Sequence, residues 1–410
     1  MVSLSPDAQR AGPLEAGRGA SGTSGLSALQ RRLPTVDDLR SRSRRRVPKF
    51  VFDFVDAGCG DDICLAENRK ALDRIKIVPK YGFASVKPRM EVELFGRRYN
   101  LPLGISPMGF GGIIWPGTEA ALARAAQAAK IPYVLATPAC AAIEDIASLA
   151  PDVFWFQLYQ TPANDFQVAL DLVSRADAAG AHVLVITMDV PVRGKRPKDM
   201  RNGLANPFRK DLRTFWDIAS SPRWAMTTLR AGAPRCRNFL PYAEGDSASL
   251  LAKAVEREIK GAFTWEFVRR VRAVWPRALV VKGVLSPVDA QAAIEAGADG
   301  VIVSNHGGRV LDAAPAAIDV LERIVSVVDG RAEVLLDSGI RTGLDVTRAL
   351  ARGAKMAMAG RPFLFGLGAL GPSGAGHVID LFDSEIRMAL GQLGCADCSA
   401  AGRLELAVQV

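Results

Sequence analysis

Nine consecutive residues, Ser304-Asn305-His306-Gly307-Gly308-Arg309-Val310-Leu311-Asp312, hold side chains suited to converge on one small molecule. His306 can accept a proton near neutral pH, and Arg309 can fork onto a carboxylate. The glycines between them allow a sharp turn or a close backbone approach to a ligand. The preceding run, Gly300-Val301-Ile302-Val303, is apolar and β-branched and reads as a buried parallel strand. The polar cluster therefore begins where a strand ends. Alone, it reads equally well as a turn with a solvated arginine and a satisfied histidine. The rest of the chain decides.

From Pro102 onward, short apolar runs alternate with alanine-rich helical segments such as Glu119–Ala129 and Val288–Ala296. The strands read as Leu103–Ser106, Tyr133–Thr137, Val153–Tyr159, His182–Asp189, Ala278–Lys282, Gly300–Asn305, Glu333–Asp337 and Met356–Gly360. Eight β-then-α units predict an α/β fold, a (β/α)8 TIM barrel, whose active site lies at the C-terminal strand ends. Polar residues gather at those ends: Gln157 and Tyr159, Thr187 and Asp189, Lys282, Ser304 and His306, Asp337 and Arg341, Gly360 and Arg361. The last two ends carry Asp337-Ser-Gly339-Ile-Arg341 and Gly360-Arg361-Pro362. Glycine-freed N–H groups, helix N-termini and an arginine there suit a phosphate dianion. A phosphorylated cofactor is the economical reading, and no GxGxxG after a first strand indicates a Rossmann site.

The 410 residues are 49% hydrophobic and 23% charged, as in a soluble globular protein. No apolar run approaches the ~18–20 residues of a membrane span. The first residues lack the apolar core of a secretory signal, so a cytoplasmic location is expected. Six scattered cysteines and three histidines predict neither a disulfide scaffold nor a metal site, although Cys395 and Cys398 form a CxxC. The net charge of +9 is concentrated in Arg40–Lys49 and Arg209–Arg237. No nucleic-acid motif accompanies it, so an anionic substrate or membrane surface is the expected partner.

Residues 1–30 are rich in Gly, Ser, Ala and Pro and are expected to form a disordered tail before a single domain over 31–400. A helix is predicted from Thr35 to Arg46, then an aromatic-rich helical turn around Lys49–Gly58. About ninety residues separate the fourth and fifth strands, a gap long enough to be functional. This insertion, 193–262, mixes Phe215, Trp216 and Trp224 with basic residues. It is expected to be a lid over the barrel mouth or a membrane-contact loop.

The chain resembles the FMN-dependent α-hydroxy-acid dehydrogenase/oxidase family, which includes glycolate oxidase, L-lactate dehydrogenase and mandelate dehydrogenase. SNHGGRxLD, FQLY, TxDVPVxGxRxxDxRNG, VKG and DSGIRxGxDV occur in order and with barrel spacing across roughly residues 34 to 400. The resemblance implies FMN and oxidation of an (S)-2-hydroxy acid, lactate-like or larger, to the 2-oxo acid. It implies His306 as general base, Asp189 as its support, and Tyr159 on the substrate oxygen. Arg309 and Arg196 would clamp the substrate carboxylate. Lys282 would stabilise the reduced ring, while Gln157, Thr187 and Ser304 would bond the ring and ribityl chain. Gly339, Arg341, Gly360 and Arg361 would hold the phosphate. Ser106, Gly109, Thr137 and Asp337 are further expected cofactor contacts. A homotetramer is implied, as are electrons passed to quinone or another acceptor and peripheral contact with the inner face of the plasma membrane.

Three positions depart from the family pattern. Phe54 stands where Tyr is common, which removes a hydroxyl from the carboxylate site. Ala136 replaces a frequent Ser, and Pro138 stands where glycolate oxidase has Trp. Gly109 resembles mandelate dehydrogenase more than glycolate oxidase and weighs against O2 as acceptor. The alternatives are an O2-using oxidase, an FMN barrel acting on a phosphorylated substrate, and a non-catalytic flavin-binding or membrane-interaction protein.

Overall fold

The computed structural model describes residues 28–192, 194–204, 211–243, 245 and 263–407. Most of the expected disordered tail lies outside these residues. Its last three residues do not fit the expectation, because they begin a helix, Ala28–Arg32, in which Leu29 packs against the core. Apolar anchoring at Leu29 and Leu33 outweighs the polar composition before them.

An antiparallel hairpin of β1 (Val92–Leu94) and β2 (Arg97–Tyr99) precedes the barrel. The barrel strands are β3 (Leu103–Ile105), β4 (Tyr133–Leu135), β5 (Phe154–Tyr159), β6 (Val183–Thr187), β7 (Ala278–Val284), β8 (Gly300–Val303), β9 (Glu333–Leu336) and β10 (Met356–Ala359). They pair in parallel in chain order, and β10 closes back onto β3. Helices cover the outside and side chains fill the inside, so β6 and β8 are buried at every position. The hairpin plugs the N-terminal end: Phe95 lies 5.7 Å from Trp155, whose indole N–H donates to Tyr99 Oη at 3.0 Å.

All eight strands lie where the alternation places them, but six stop short of the predicted C-terminal end. Beyond the strand ends some backbone N–H groups still bond the neighbouring strand, as Ser106 N does to Ala359 O and Asp337 N to Val303 O, and others turn to side chains. Thr137 N donates to Gln157 Oε1 at 3.2 Å, and Asn305 N to Ser338 Oγ at 3.2 Å. Conversely, β7 runs two residues further than predicted, through an irregularity between Lys282 and Val284.

The helix Val36–Arg46 begins at Thr35, whose side chain forms a capping box with Asp38. At its other end Arg42 and Arg46 donate to Ala369 O, near the C-terminus of the helix Arg361–Leu370. The next helix, Lys49–Asp56, thereby lies across the C-terminal face of the barrel. In the insertion, Leu212–Ala219 and Pro222–Ala231 are helical, and Trp224 is buried with its N–H on Ile113 O at 3.1 Å. Leu212, Phe215, Trp216 and Leu229 are exposed. Among the described residues no helix is long and apolar enough to cross a membrane.

Candidate active site

Register puts the reactive side chains on one level. Tyr159 pairs with Thr187, and Thr187 with Lys282, at the C-terminal rim. After β8 the chain turns through three left-handed residues, His306 (φ +57°), Gly307 (+64°) and Gly308 (+72°). A histidine there is strained and needs support. Its N–H donates to Ser304 Oγ at 3.0 Å, and Gly307 N donates to Ser338 Oγ at 3.0 Å. Asp312 closes the loop by accepting from Asp61 N and Cys64 N.

His306 Nδ1 lies 2.9 Å from Asp189 Oδ1. With Nδ1–H donating, Nε2 keeps its lone pair on a ring that lines the cavity. Burial pushes the Asp189 carboxyl up, but His306 and Lys282 outweigh it, and the group lies below its ordinary value. Gly283, at φ +104°, leaves room for it: a Cβ there would meet Asp189 Cβ at 2.6 Å.

Lys282 is buried, donates to Ser304 Oγ at 2.8 Å and pairs with Asp337 Oδ2 at 3.0 Å. Burial lowers its pKa, but Asp337 and Asp189 raise it above the ordinary value, so a full positive charge stands in the cavity wall. Thr137 Oγ1 donates to Gln157 O at 2.6 Å, which fixes the Gln157 backbone.

Arg309 Nη1 donates to Phe54 O at 2.8 Å and Ala57 O at 2.9 Å, and its guanidinium lies 5.2 Å from the Phe54 ring. Arg196 lies 5.9 Å from the same ring. Both expected clamp residues thus flank the phenylalanine that replaces the expected tyrosine. Arg361 donates to Val55 O, Gly307 O and Ala57 O, pinning the Lys49–Asp56 helix to the rim. Arg341 stacks 5.3 Å from Phe365. Burial, with Arg69 next, lowers Arg341 to about 10, and burial with Arg341 lowers Arg361 to about 9.

A cavity of about 160 Å³ joins these groups. Its lining includes Phe54, Ser106, Gly109, Gln157, Tyr159, Thr187, Lys282, His306, Arg309, Asp337, Gly339, Arg341, Gly360 and Arg361. Four expected site residues are not part of the lining. Asp189 supports His306, Ser304 supports Lys282, Thr137 supports Gln157, and Arg196 flanks Phe54. Ala136 and Pro138 line the cavity, with Met108 and Leu364 adding apolar surface. Sequence reasoning missed Ser338, whose hydroxyl knits two loops, and Asp199, which pairs with Arg196 at 3.3 Å. The RxxD spacing was the available signal for Asp199.

The donor set fits FMN. Gln157 Nε2 is buried and has no hydrogen-bond partner among the described residues, and it belongs to a cavity-lining side chain. The half-buried cation of Arg341 lines the cavity with Gly339 and Gly360, where a phosphate would offset the desolvation that lowers its pKa.

The family model "FMN-dependent dehydrogenase" matches residues 43–407. The chain is 37% identical to (S)-mandelate dehydrogenase of Pseudomonas putida over 91% of this chain and 93% of that protein. It is 39% identical to 4-hydroxymandelate oxidase of Amycolatopsis orientalis, over 90% of this chain and 97% of that protein. It is 36% identical to L-lactate dehydrogenase of Caulobacter vibrioides, over 92% of this chain and 98% of that protein. A crystal structure of monotopic membrane protein (S)-mandelate dehydrogenase superposes with a TM-score of 0.86 at 37% identity, covering 90% of this chain and 98% of that one. The chain is therefore a member of the FMN-dependent dehydrogenase family, the 2-hydroxy-acid oxidoreductases.

Proposed function

We propose that the protein oxidises (S)-2-hydroxy acids with a large apolar side chain and passes the electrons to quinone or another acceptor. The observation that carries this reading is the His306–Asp189 pair at 2.9 Å, with two arginines on a neighbouring part of the site. A base and a carboxylate clamp on one small molecule are what removal of hydrogen α to a carboxylate requires.

Arg309 and Arg196 bind and orient the substrate carboxylate, Arg309 itself being fixed by two carbonyls. Tyr159 donates to the substrate oxygen that becomes the carbonyl. His306 Nε2 takes one proton from the substrate, and Asp189 stabilises the resulting imidazolium. Gln157 and Thr187 would hold the flavin ring, Lys282 would supply positive charge to it, and Arg341 and Arg361, with Gly339 and Gly360, would hold the phosphate. Bound FMN supplies the two-electron acceptor. The side chain of the substrate meets Phe54, Met108, Pro138 and Leu364, which favours aryl over small alkyl groups.

A panel of hydroxy acids mixed anaerobically with the FMN-bound protein, with flavin bleaching followed by stopped flow, tests the reading. Aryl acids should bleach the flavin faster than glycolate. Equal re-oxidation by O2 and by quinone would favour the oxidase alternative.

The insertion supplies the membrane contact in this reading. Leu212, Phe215, Trp216 and Leu229 are exposed beside basic residues, and a similar structure is described as a monotopic membrane protein. Co-sedimentation with anionic liposomes, with and without residues 208–237, tests this. No binding in either form at low salt would favour a lid.

A further inference from the structure

We propose that Asp199 is the positioning residue of the carboxylate clamp, and that its negative charge sets how strongly the site prefers a carboxylate over a neutral group. This rests on the reading of Arg196 and Arg309 as that clamp.

Asp199 Oδ2 lies 3.3 Å from Arg196 Nη1, one turn along the short helix Pro197–Arg201 that Arg196 caps. Only 15% of its side chain is exposed. Its other oxygen, Oδ1, is buried and receives no hydrogen bond among the described residues. A buried carboxylate oxygen without a donor is costly, and helix formation at Pro197–Arg201 does not require it. Burial pushes the Asp199 carboxyl up, and Arg196 and Arg309 oppose that.

The neighbouring charges are already committed. Asp53 is held by Lys49 and by Asn202 Nδ2 at 2.8 Å. Arg361 is held by three carbonyls. Arg309 is bonded to carbonyls, and burial with repulsion from Arg196 and Arg361 drives its pKa well below the ordinary value. Asp199 is the carboxylate that opposes this shift. Asp199 offsets one of the two guanidinium charges of the clamp and keeps Arg196 in place. Removing its charge while keeping an acceptor should strengthen binding of any carboxylate and leave a neutral ligand unaffected. Removing both should release Arg196 and weaken the carboxylate.

The test uses the oxidised FMN-bound protein and two ligands that cannot turn over, phenylacetate and phenylacetamide, with dissociation constants measured by calorimetry. In Asp199→Asn the ratio of amide to acid dissociation constants should rise by about tenfold, and in Asp199→Leu it should fall by a similar factor. A general loss of local structure would move both ligands together and leave the ratio alone. If the ratio in Asp199→Asn is unchanged or falls, the proposal is overturned, whether or not the leucine variant folds. Arg309→Gln separates this failure from failure of the clamp. Unchanged phenylacetate affinity there would remove the clamp itself. Lost affinity there, with no rise in Asp199→Asn, would remove Asp199 alone.

Discussion

The carboxylate of Asp189 can stand behind His306 because Gly283 has no side chain: a Cβ at that position would come within 2.6 Å of Asp189 Cβ and Cγ. Gly283 lies in the β7 irregularity, directly after Lys282. Gly283→Ala should therefore displace Asp189 from His306 and add strain at φ +104°. Flavin reduction should slow by about 10- to 1000-fold, within the worth of a positioned acid–base pair. Stopped-flow reduction of the FMN-bound variant measures this. A wild-type rate would mean that Asp189 is free to relax.

The depressed Asp189 carboxyl has a signature in stability. Its folded value lies below the ordinary 3.8. The stabilisation is therefore complete above that pH and is lost as pH falls through the folded value. Between wild type and Asp189→Asn, the difference in urea unfolding free energy should be constant near neutrality and shrink below pH 3.8. A difference that grows on acidification would contradict the shift.

Arg341 carries a half-buried cation whose pKa desolvation lowers to about 10. Without an anion beside it, that charge destabilises the fold below this value. In FMN-free protein, Arg341→Gln should leave the melting temperature unchanged or raise it. With FMN added, the wild type should melt several degrees higher and the variant should show little of that gain, because affinity for N alone stabilises by mass action. Equal FMN-induced shifts in both proteins would remove Arg341 from the phosphate site.

Phe54 presents a ring, not a hydroxyl, between Arg309 and Arg196. The missing donor to a charged group is worth about 1.5–3 kcal/mol where nothing replaces it. A small acid such as glycolate loses that contribution outright, whereas a large side chain recovers about 0.8 kcal/mol per CH₂ buried. Phe54→Tyr should therefore raise kcat/KM for glycolate more than for mandelate. An equal change for both acids would show that the ring acts on something other than the carboxylate.

The barrel and most of the rim were legible because they are written in local pattern. A buried parallel strand is a short apolar run, and its C-terminal end is marked by the first polar side chain, as at Thr187 and Asp337. Less legible was everything that depends on contacts between distant segments. The hairpin Val92–Tyr99 has only three residues per strand, and its reason for existing is Trp155, far along the chain. The helix Ile63–Arg74 has a weak amphipathic pattern, since its face against Asn305 includes Asn68. Ser304 and Thr137 were expected on the cofactor; neither is part of the cavity lining, and their hydroxyls bond Lys282 and Gln157. Asp199 carries no mark except its distance from Arg196.

The proposed role of His306, supported by Asp189, is to take the substrate proton. Its most direct measurement is anaerobic flavin reduction by (S)-mandelate in wild type and His306→Gln, both carrying FMN. The wild type should bleach fully, and the variant should bind FMN normally but reduce it about 10²- to 10⁴-fold more slowly. A variant that reduces its flavin at the wild-type rate, or a wild type that no 2-hydroxy acid reduces, would contradict it.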